Sequence, residues 1–254
     1  MFLYSGAVIR TLEKIRTWYK KPLGAALLKS ELAGLAKVLP KIFGYYIAQI
    51  GGPFGNNDIL SSSPIHNKII INPDDLPISD DILPVQCEII DLPFLPESID
   101  AVVMLHILEF TKNPKVILRE VYDALIPGGY VIILGFNPHS LWGITKFFKR
   151  IKTDIWHGNW LNSRRLRRWL FDMGFDLENH QTFYFHPPCE NAKKIAIIEE
   201  IGQIFWPCCG ASYMMLAKKT SMVVTPISNT NESFVKSNEV IKGLAKPTSR
   251  TRAT

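Results

Sequence analysis

The sequence has no apolar run near the roughly 20 residues that cross a bilayer, so no segment reads as a membrane-spanning helix. Residues 1–9 are apolar but lack the basic start and small-residue cleavage site of a secretory signal, which leaves the cytoplasm as the expected compartment. Cysteine is scarce. Cys87, Cys189, Cys208 and Cys209 are the full set, and no C-x-x-C pair occurs among them. That spacing excludes the common zinc frameworks and a disulfide scaffold, so reduced thiols and no metal site are expected. The chain supplies neither a clean G-x-G-x-x-G nor a ribose-binding acid about 20 residues after one, which argues against a nicotinamide-dependent dehydrogenase. No internal repeat is visible.

What is present is ample apolar content, 47% of the 254 residues, enough for a sizeable core. The formal charge of +6 is unevenly spread. Arg164, Arg165, Arg167 and Arg168 fall on one expected helix, and Lys236, Lys242, Lys246, Arg250 and Arg252 fall in the tail. A solvated helix face and a basic tail account for the balance without nucleic acid.

The clearest stretch is 91–138. Asp100 opens the apolar run 101–105, which suits a strand buried on both faces. Asn113 is placed as a helix N-cap and Pro114 at the first helical turn, where its missing N–H costs nothing. Ile117, Leu118, Val121, Tyr122 and Leu125 form one helical face, and Pro127-Gly128-Gly129 then turns the chain into a strand at 130–134. A strand, crossover helix and parallel strand make an α/β sheet, whose ligands sit beyond the carboxyl ends of the strands. Those ends are Leu105-His106 and 135–138.

Elsewhere the chain reads more coarsely. Helices are expected at 7–20 and 24–39, the latter mixing Leu27, Glu31, Gly34, Leu35 and Val38 at helical spacing as a lid or packing helix would. Trp18 and Tyr19, flanked by Lys14, Arg16, Lys20 and Lys21, either pack inward or touch a membrane surface. Strands are expected at 45–50, 68–71 and 86–90, with a less regular region at 140–160. A helix capped by Ser163 and closed by Gly174 follows, then strands at 182–185 and 213–217 around a helical stretch at 192–205. The organisation expected is an N-terminal helical extension (1–42), an α/β domain (43–219) with a lid or substrate region at 140–162, and a disordered basic tail (220–254).

The segment containing Leu92-Pro93-Phe94, Ser98-Ile99-Asp100, His106-Ile107-Leu108-Glu109-Phe110, Leu118-Arg119-Glu120 and Pro127-Gly128-Gly129 resembles class I S-adenosylmethionine-dependent methyltransferases. Gly135-Phe136-Asn137-Pro138-His139-Ser140-Leu141-Trp142-Gly143 is similar to a bacterial methyltransferase-like subgroup with a GFNP-x-SLWG motif. The resemblance implies a Rossmann-like, doubly wound, mainly parallel seven-stranded sheet with an antiparallel last strand. It implies S-adenosyl-L-methionine as cofactor and a small-molecule or lipid-like methyl acceptor. Carried over residue by residue, Gln49, Gly51, Gly52 and Gly55 match the first loop, where glycines admit the cofactor's amino-acid end. Gln49 stands where the family has an acid, and Pro53 takes a glycine position and removes a donor.

Asn72 matches the ribose carboxylate, and Asp74 or Asp75 could substitute for it. Glu88, with Asp91 as alternative and Leu92 and Leu105 beside them, matches the adenine-binding positions. His106 is the candidate general base and Glu109, three residues on, either orients it or pairs on the surface. Asn137, His139, Trp142 and Trp156, together with His157 and Trp160, are candidates for the acceptor site; each tryptophan could equally pack a lid. A catalytically degenerate protein that uses the fold for binding or assembly is the competing expectation, favoured by Gln49, Pro53 and Asn72.

Overall fold

The computed structural model describes residues 13–52, 59–71, 82–149, 154–188 and 209–220. Gly55, Asn72, Asp74, Asp75, Cys189, Cys208, the stretch 192–205 and the tail beyond Thr220 lie outside these described residues, as do Pro53 and Phe54.

Helix α1 (13–19) and helix α2 (Pro22–Val38) precede the sheet. Pro22 sits in the first turn of α2, where it separates the two helices at no hydrogen-bonding cost. The buried face of α2 is Gly24, Leu27, Leu28, Glu31, Gly34, Leu35 and Val38, the i, i+3, i+4, i+7 stripe of a helix lying on a core. Its leucines each contribute about 1.5–3 kcal/mol by leaving water. Glu31 is the one charged residue on that stripe.

Seven strands follow: β1 (Tyr46–Gly51), β2 (Asn67–Ile71), β3 (Ile82–Val85), β4 (Ile99–Leu105), β5 (Leu125–Phe136), β6 (Phe175–Phe183) and β7 (Ser212–Lys219). Helix α3 (Pro114–Ala124) crosses between β4 and β5; α4 (Leu141–Lys149) and α5 (Ser163–Met173) lie between β5 and β6. The sheet order is β3-β2-β1-β4-β5-β7-β6. All neighbours pair in parallel up to β5, and β7 runs antiparallel between β5 and β6. The expected doubly wound sheet with one reversed strand is therefore what forms, the last strand in sequence being the reversed one. Strand order changes direction between β1 and β4, where Gly51 pairs with Leu105. In open α/β sheets such a switch point leaves a crevice beyond the strand ends.

Alternate residues of the central strands feed two cores. Ala48, Ile50, Val102, Met104, Val131 and Ile133 join one face with Ile117, Leu118 and Val121 of α3. Ile47, Val103, Leu105, Ile132 and Leu134 join the other with Leu35, Val38 and Leu39. Both faces are covered, which is why these strands read as unbroken apolar runs.

Several expected boundaries shift. The third strand lies at Ile82–Val85, upstream of 86–90, and residues 86–88 are irregular before a turn in which the Asp91 N–H donates to the Glu88 carbonyl (3.0 Å). Pro127-Gly128-Gly129 falls inside β5, since pairing resumes at Leu125 and the glycines are absorbed where the β4–β5 register shifts. Asn113 occupies the N-cap of α3 without a side-chain cap bond. The cap of α5 is Asn162, whose side chain accepts from the Arg164 N–H (2.8 Å), so Ser163 is the first helical residue. Gly174 closes α5 at φ 95°, as expected. The sixth strand starts at once after that glycine, at Phe175, and only its last residues coincide with 182–185. Region 140–160 is more regular than its composition suggests, carrying α4 and a short 3₁₀ turn at Asp154–His157.

Trp18 and Tyr19 turn inward: both are buried, and Trp18 meets the rings of Phe136 and Trp142 edge-on. Packing rather than a membrane surface claims them. Among the described residues no helix is long and apolar enough to cross a membrane. The α1–α2 junction yields a prediction. A Cβ on Gly24 would lie 2.3 Å from the Trp18 carbonyl oxygen. Gly24→Ala should therefore destabilise by about 1–3 kcal/mol, reversing the helix-propensity gain of about 1 kcal/mol, as read from denaturant unfolding.

Candidate active site

At the carboxyl end of β1 the backbone turns left-handed twice, with Gly51 at φ 78° and Gly52 at φ 85°. Only glycine adopts this without strain. A Cβ on Gly51 would stand 2.5 Å from the Leu105 carbonyl oxygen, and one on Gly52 would stand 3.1 Å from Leu105 and from Ile59. Gln49, buried one turn of the pleat earlier, donates its side-chain N–H to the Gly51 carbonyl (3.1 Å). A carboxylate could not make that bond, so the amide in place of the family's acid braces the glycine turn from within.

His106 follows Leu105 at φ 48°, an uncommon backbone for a non-glycine residue, with its N–H donated to the Leu134 carbonyl (3.0 Å). This backbone carries the imidazole into the protein. It is fully buried, with Nε2 2.9 Å from Glu31 Oε1 and Nδ1 3.4 Å from Glu109 Oε1. At 3.4 Å the second contact is electrostatic rather than a formed hydrogen bond. Glu31 Oε2 accepts from the Tyr19 hydroxyl (3.2 Å), and Glu109 Oε1 accepts from the Phe136 N–H (2.6 Å). Phe136 packs its ring on the imidazole, centroids 4.1 Å apart.

Burial by itself would push the His106 pKa down; Glu31 and Glu109 outweigh it and lift the value to about 10. Tyr19 is driven well above the usual phenol range, first by burial and then by Glu31 and Glu109. Tyr213, whose hydroxyl donates to the Leu161 carbonyl (3.2 Å), moves the same way through burial and Glu109. The centre is thus an imidazolium clamped by two carboxylates and roofed by aromatic rings. Gly135 makes room for it: a Cβ there would approach the Tyr213 hydroxyl to 2.7 Å and Glu109 Oε1 to 3.0 Å.

Of the candidate site residues, Gly51, Leu105 and His106 converge at the switch point, with Gln49 and Gly52 beside them. Glu88 is half-buried and Asp91 exposed after β3, while Leu92 belongs to the core. Asn137 is buried as a structural hub. Its amide donates to the Gly210 carbonyl (2.9 Å), its side-chain oxygen accepts from the His139 N–H (3.0 Å), and its own carbonyl accepts from the Ser140 hydroxyl (2.7 Å). His139 Nε2 meets Asn162 Nδ2 at 2.9 Å, tying that turn to the start of α5. Trp142 and Trp156 are buried too, Trp142 donating its ring N–H to the His186 carbonyl (2.8 Å) and both rings stacking in one cluster with Trp160. These tryptophans pack the region after β5.

His106 and Glu109 do face each other, but inside the protein. Their third partner, Glu31, was readable only as a polar position on an apolar helix stripe. The signal that could have identified it is the general rule that a charge on a buried face has a counter-charge.

Residues 72–133 match a family model described as a methyltransferase domain. The chain is 23% identical over 209 residues, 82% of each chain, to the uncharacterized protein YafS of Escherichia coli strain K12. Among solved structures, an S-adenosylmethionine-dependent methyltransferase from Thermotoga maritima superposes with a TM-score of 0.61 at 19% identity, covering 85% of this chain and 99% of that one. A Haloferax volcanii methyltransferase solved with the Trm112 activator superposes with a TM-score of 0.58 at 14% identity, covering 82% and 97%.

The clamp sets a titration. A raised folded-state pKa means that folding takes up a proton, so the stabilisation is complete below the unfolded value of about 6.5 and is lost as pH rises towards 10. Imidazole NMR resonances of His106 should stay protonated at pH 8; a midpoint near 6.5 would contradict the clamp. Glu31→Ala should cost about 3–5 kcal/mol in unfolding free energy, because it strands a buried charge. The chain therefore has the fold of the S-adenosylmethionine-dependent methyltransferases it superposes on, and its residues 72–133 match a methyltransferase-domain model.

Proposed function

We propose that this protein is an S-adenosylmethionine-dependent methyltransferase acting on a small-molecule or lipid-like acceptor. The observation that carries the reading is the double left-handed glycine turn at the carboxyl end of β1, locked to Leu105 of β4 at the point where strand order reverses. A side chain at either glycine would collide with Leu105 or Ile59, so glycine is what lets the turn keep this left-handed course at the strand end where a cofactor would lie. Gly51 and Gly52 would lie against the cofactor's amino-acid end, with Gln49 holding their turn; Gly55 and Asn72 are assigned to the same site by family resemblance. Glu88 or Asp91, with Leu92, would meet the base. When bound, S-adenosylmethionine supplies a methyl group already activated by positive sulfur.

What remains for the protein is alignment and exclusion of water, which carry much of such a transfer. His106 serves here as a positioning residue. An imidazole held protonated to about 10 has no lone pair to offer at neutral pH, which argues against the general-base role expected from its place after β4. Its charge instead ties α2, through Glu31, to the floor of the crevice and fixes Leu105 opposite Gly51. Asn137, His139, Trp142 and Trp156 support the acceptor side by shaping the segment after β5 rather than by reaching a ligand themselves.

Calorimetric titration with S-adenosylmethionine tests the proposal. The wild-type chain should bind one equivalent, and Gly52→Val should lower affinity about tenfold or more while remaining folded by circular dichroism. No heat and no thermal shift at about millimolar S-adenosylmethionine would instead support a non-catalytic binding or assembly module. Once an acceptor is known, turnover against pH should show no limb near 6.5 that His106→Gln removes; such a limb would restore His106 as the base.

A further inference from the structure

Helix α5 buries Leu166, Trp169 and Leu170 and turns its other side to solvent. Arg167, Arg168 and Phe171 follow Arg164 by three, four and seven positions, so the four share one exposed stripe opposite the buried face. Phe171, at the far end of that stripe, is 72% exposed. Arg165 leaves the stripe to lie over the Trp169 ring, 4.7 Å from its centre, and Lys115 of α3 approaches the same ring at 5.0 Å. The cationic surface therefore continues from α5 onto α3.

This placement works against the helix that carries it. Four arginines fall in the first half of α5 with no acid in its first turn, so they crowd the positive end of the helix dipole. Like charges also stand at i, i+3 and i, i+4, which destabilises a helix further. Arg164, Arg167 and Arg168 form no ion pair among the described residues. Asp172, the one carboxylate on α5, lies beyond Phe171, and Asp123 on α3 is taken by Arg119 (3.3 Å). The uncompensated charge reaches β6, where His180 is held below its ordinary pKa by burial first and by Arg167 second. Helix formation would favour acids at these positions and core packing does not involve them, so the stripe is explained by something outside the chain.

An occupant has to offer many negative charges at once and a place for an aromatic ring. The stripe is convex, so a small anion would meet only one or two guanidinium groups. A nucleic-acid duplex would pair with the arginines but leave Phe171 in water. The headgroup layer of a bilayer accepts both, with guanidinium groups at the phosphates and the ring just beneath them. Helix α4, tied to the start of α5 where His139 meets Asn162 (2.9 Å), adds the exposed apolar side chains Leu141 and Ile144. We propose that α5, with Lys115 of α3, docks this protein on the surface of an anionic phospholipid bilayer. The contact is peripheral: the helix lies on the bilayer and keeps Leu166, Trp169 and Leu170 in the protein core. Docking needs neither cofactor nor acceptor, so it stands or falls apart from the methyltransferase reading.

The experiment sediments the full chain with phosphatidylcholine vesicles, with and without phosphatidylglycerol, at two salt concentrations. The variants are Arg164→Glu combined with Arg168→Glu, and Phe171→Ser alone. Lys242→Glu combined with Lys246→Glu in the tail is the charge-matched control. The unaltered chain should bind the anionic vesicles, and more weakly at the higher salt. The arginine pair should lower that partition about tenfold or more, since each cation near such a surface is worth about fivefold. Phe171→Ser should lower it about threefold and leave the salt dependence unchanged, and the tail pair should change it less than about twofold. Without lipid, the arginine pair should melt no lower than the unaltered chain, because its reversed charges now suit the helix dipole; lost binding is then not lost folding. Four results overturn the assignment: no binding to anionic vesicles, equal loss in both double variants, loss in the tail pair alone, or binding to a DNA duplex in preference to the vesicles.

Discussion

An imidazolium held between two carboxylates in the dry interior is the interaction on which the rest of this structure leans. Burying one charge costs several kcal/mol, and a buried cluster survives only when every member has a partner. His106 meets that condition by taking a left-handed backbone, which turns its ring between Glu31 of the N-terminal extension and Glu109 of the turn after β4. Two segments distant in sequence, α2 and the 106–109 turn, are thereby tied at one point. The tie lies at the carboxyl end of β4, beside the place where an α/β sheet of this order opens its crevice.

That arrangement changes the meaning of the extension. A helix carrying Leu27, Leu28, Leu35 and Val38 would pack on any apolar surface, with nothing to set its position along the sheet. Glu31, in the middle of the stripe, has one acceptable location, against His106 and under the Tyr19 hydroxyl. Apolar burial supplies most of the affinity of α2 for the body of the protein, and the charge supplies its register. The end of the sheet thus has α2 fixed beside it by electrostatics and the turn after β1 fixed by its glycines.

The sheet was legible in the sequence wherever local chemistry and burial agree. Residues 101–105 read as a strand because both faces are covered, and Gly174 marked a helix end because its backbone is left-handed. Legibility failed where tertiary pairing overrides local signals. Pro127-Gly128-Gly129 looks like a turn, yet β4 pairs on either side of it, at Leu125 and Tyr130, and keeps it within a strand; Ser163 looks like a cap, yet Asn162 reaches the Arg164 N–H first. Strand β3 is only four residues long, half-exposed and interrupted by Pro84, so its short apolar run does not read as a strand.

The site divides in the same way. The glycines and His106 stood out by position, but the imidazole's protonation state could not be read from sequence, because Glu31 lies 75 residues away on another element. We propose that the switch point holds an adenosyl sulfonium against Gly51 and Gly52. Amide NMR of the labelled full chain, titrated with S-adenosylhomocysteine, tests it most directly. Shifts concentrated at Gly51, Gly52, Leu105, His106 and the turn at Glu88 are the expected result. A spectrum that does not change, or shifts confined to residues away from the β1 and β4 ends, would contradict it.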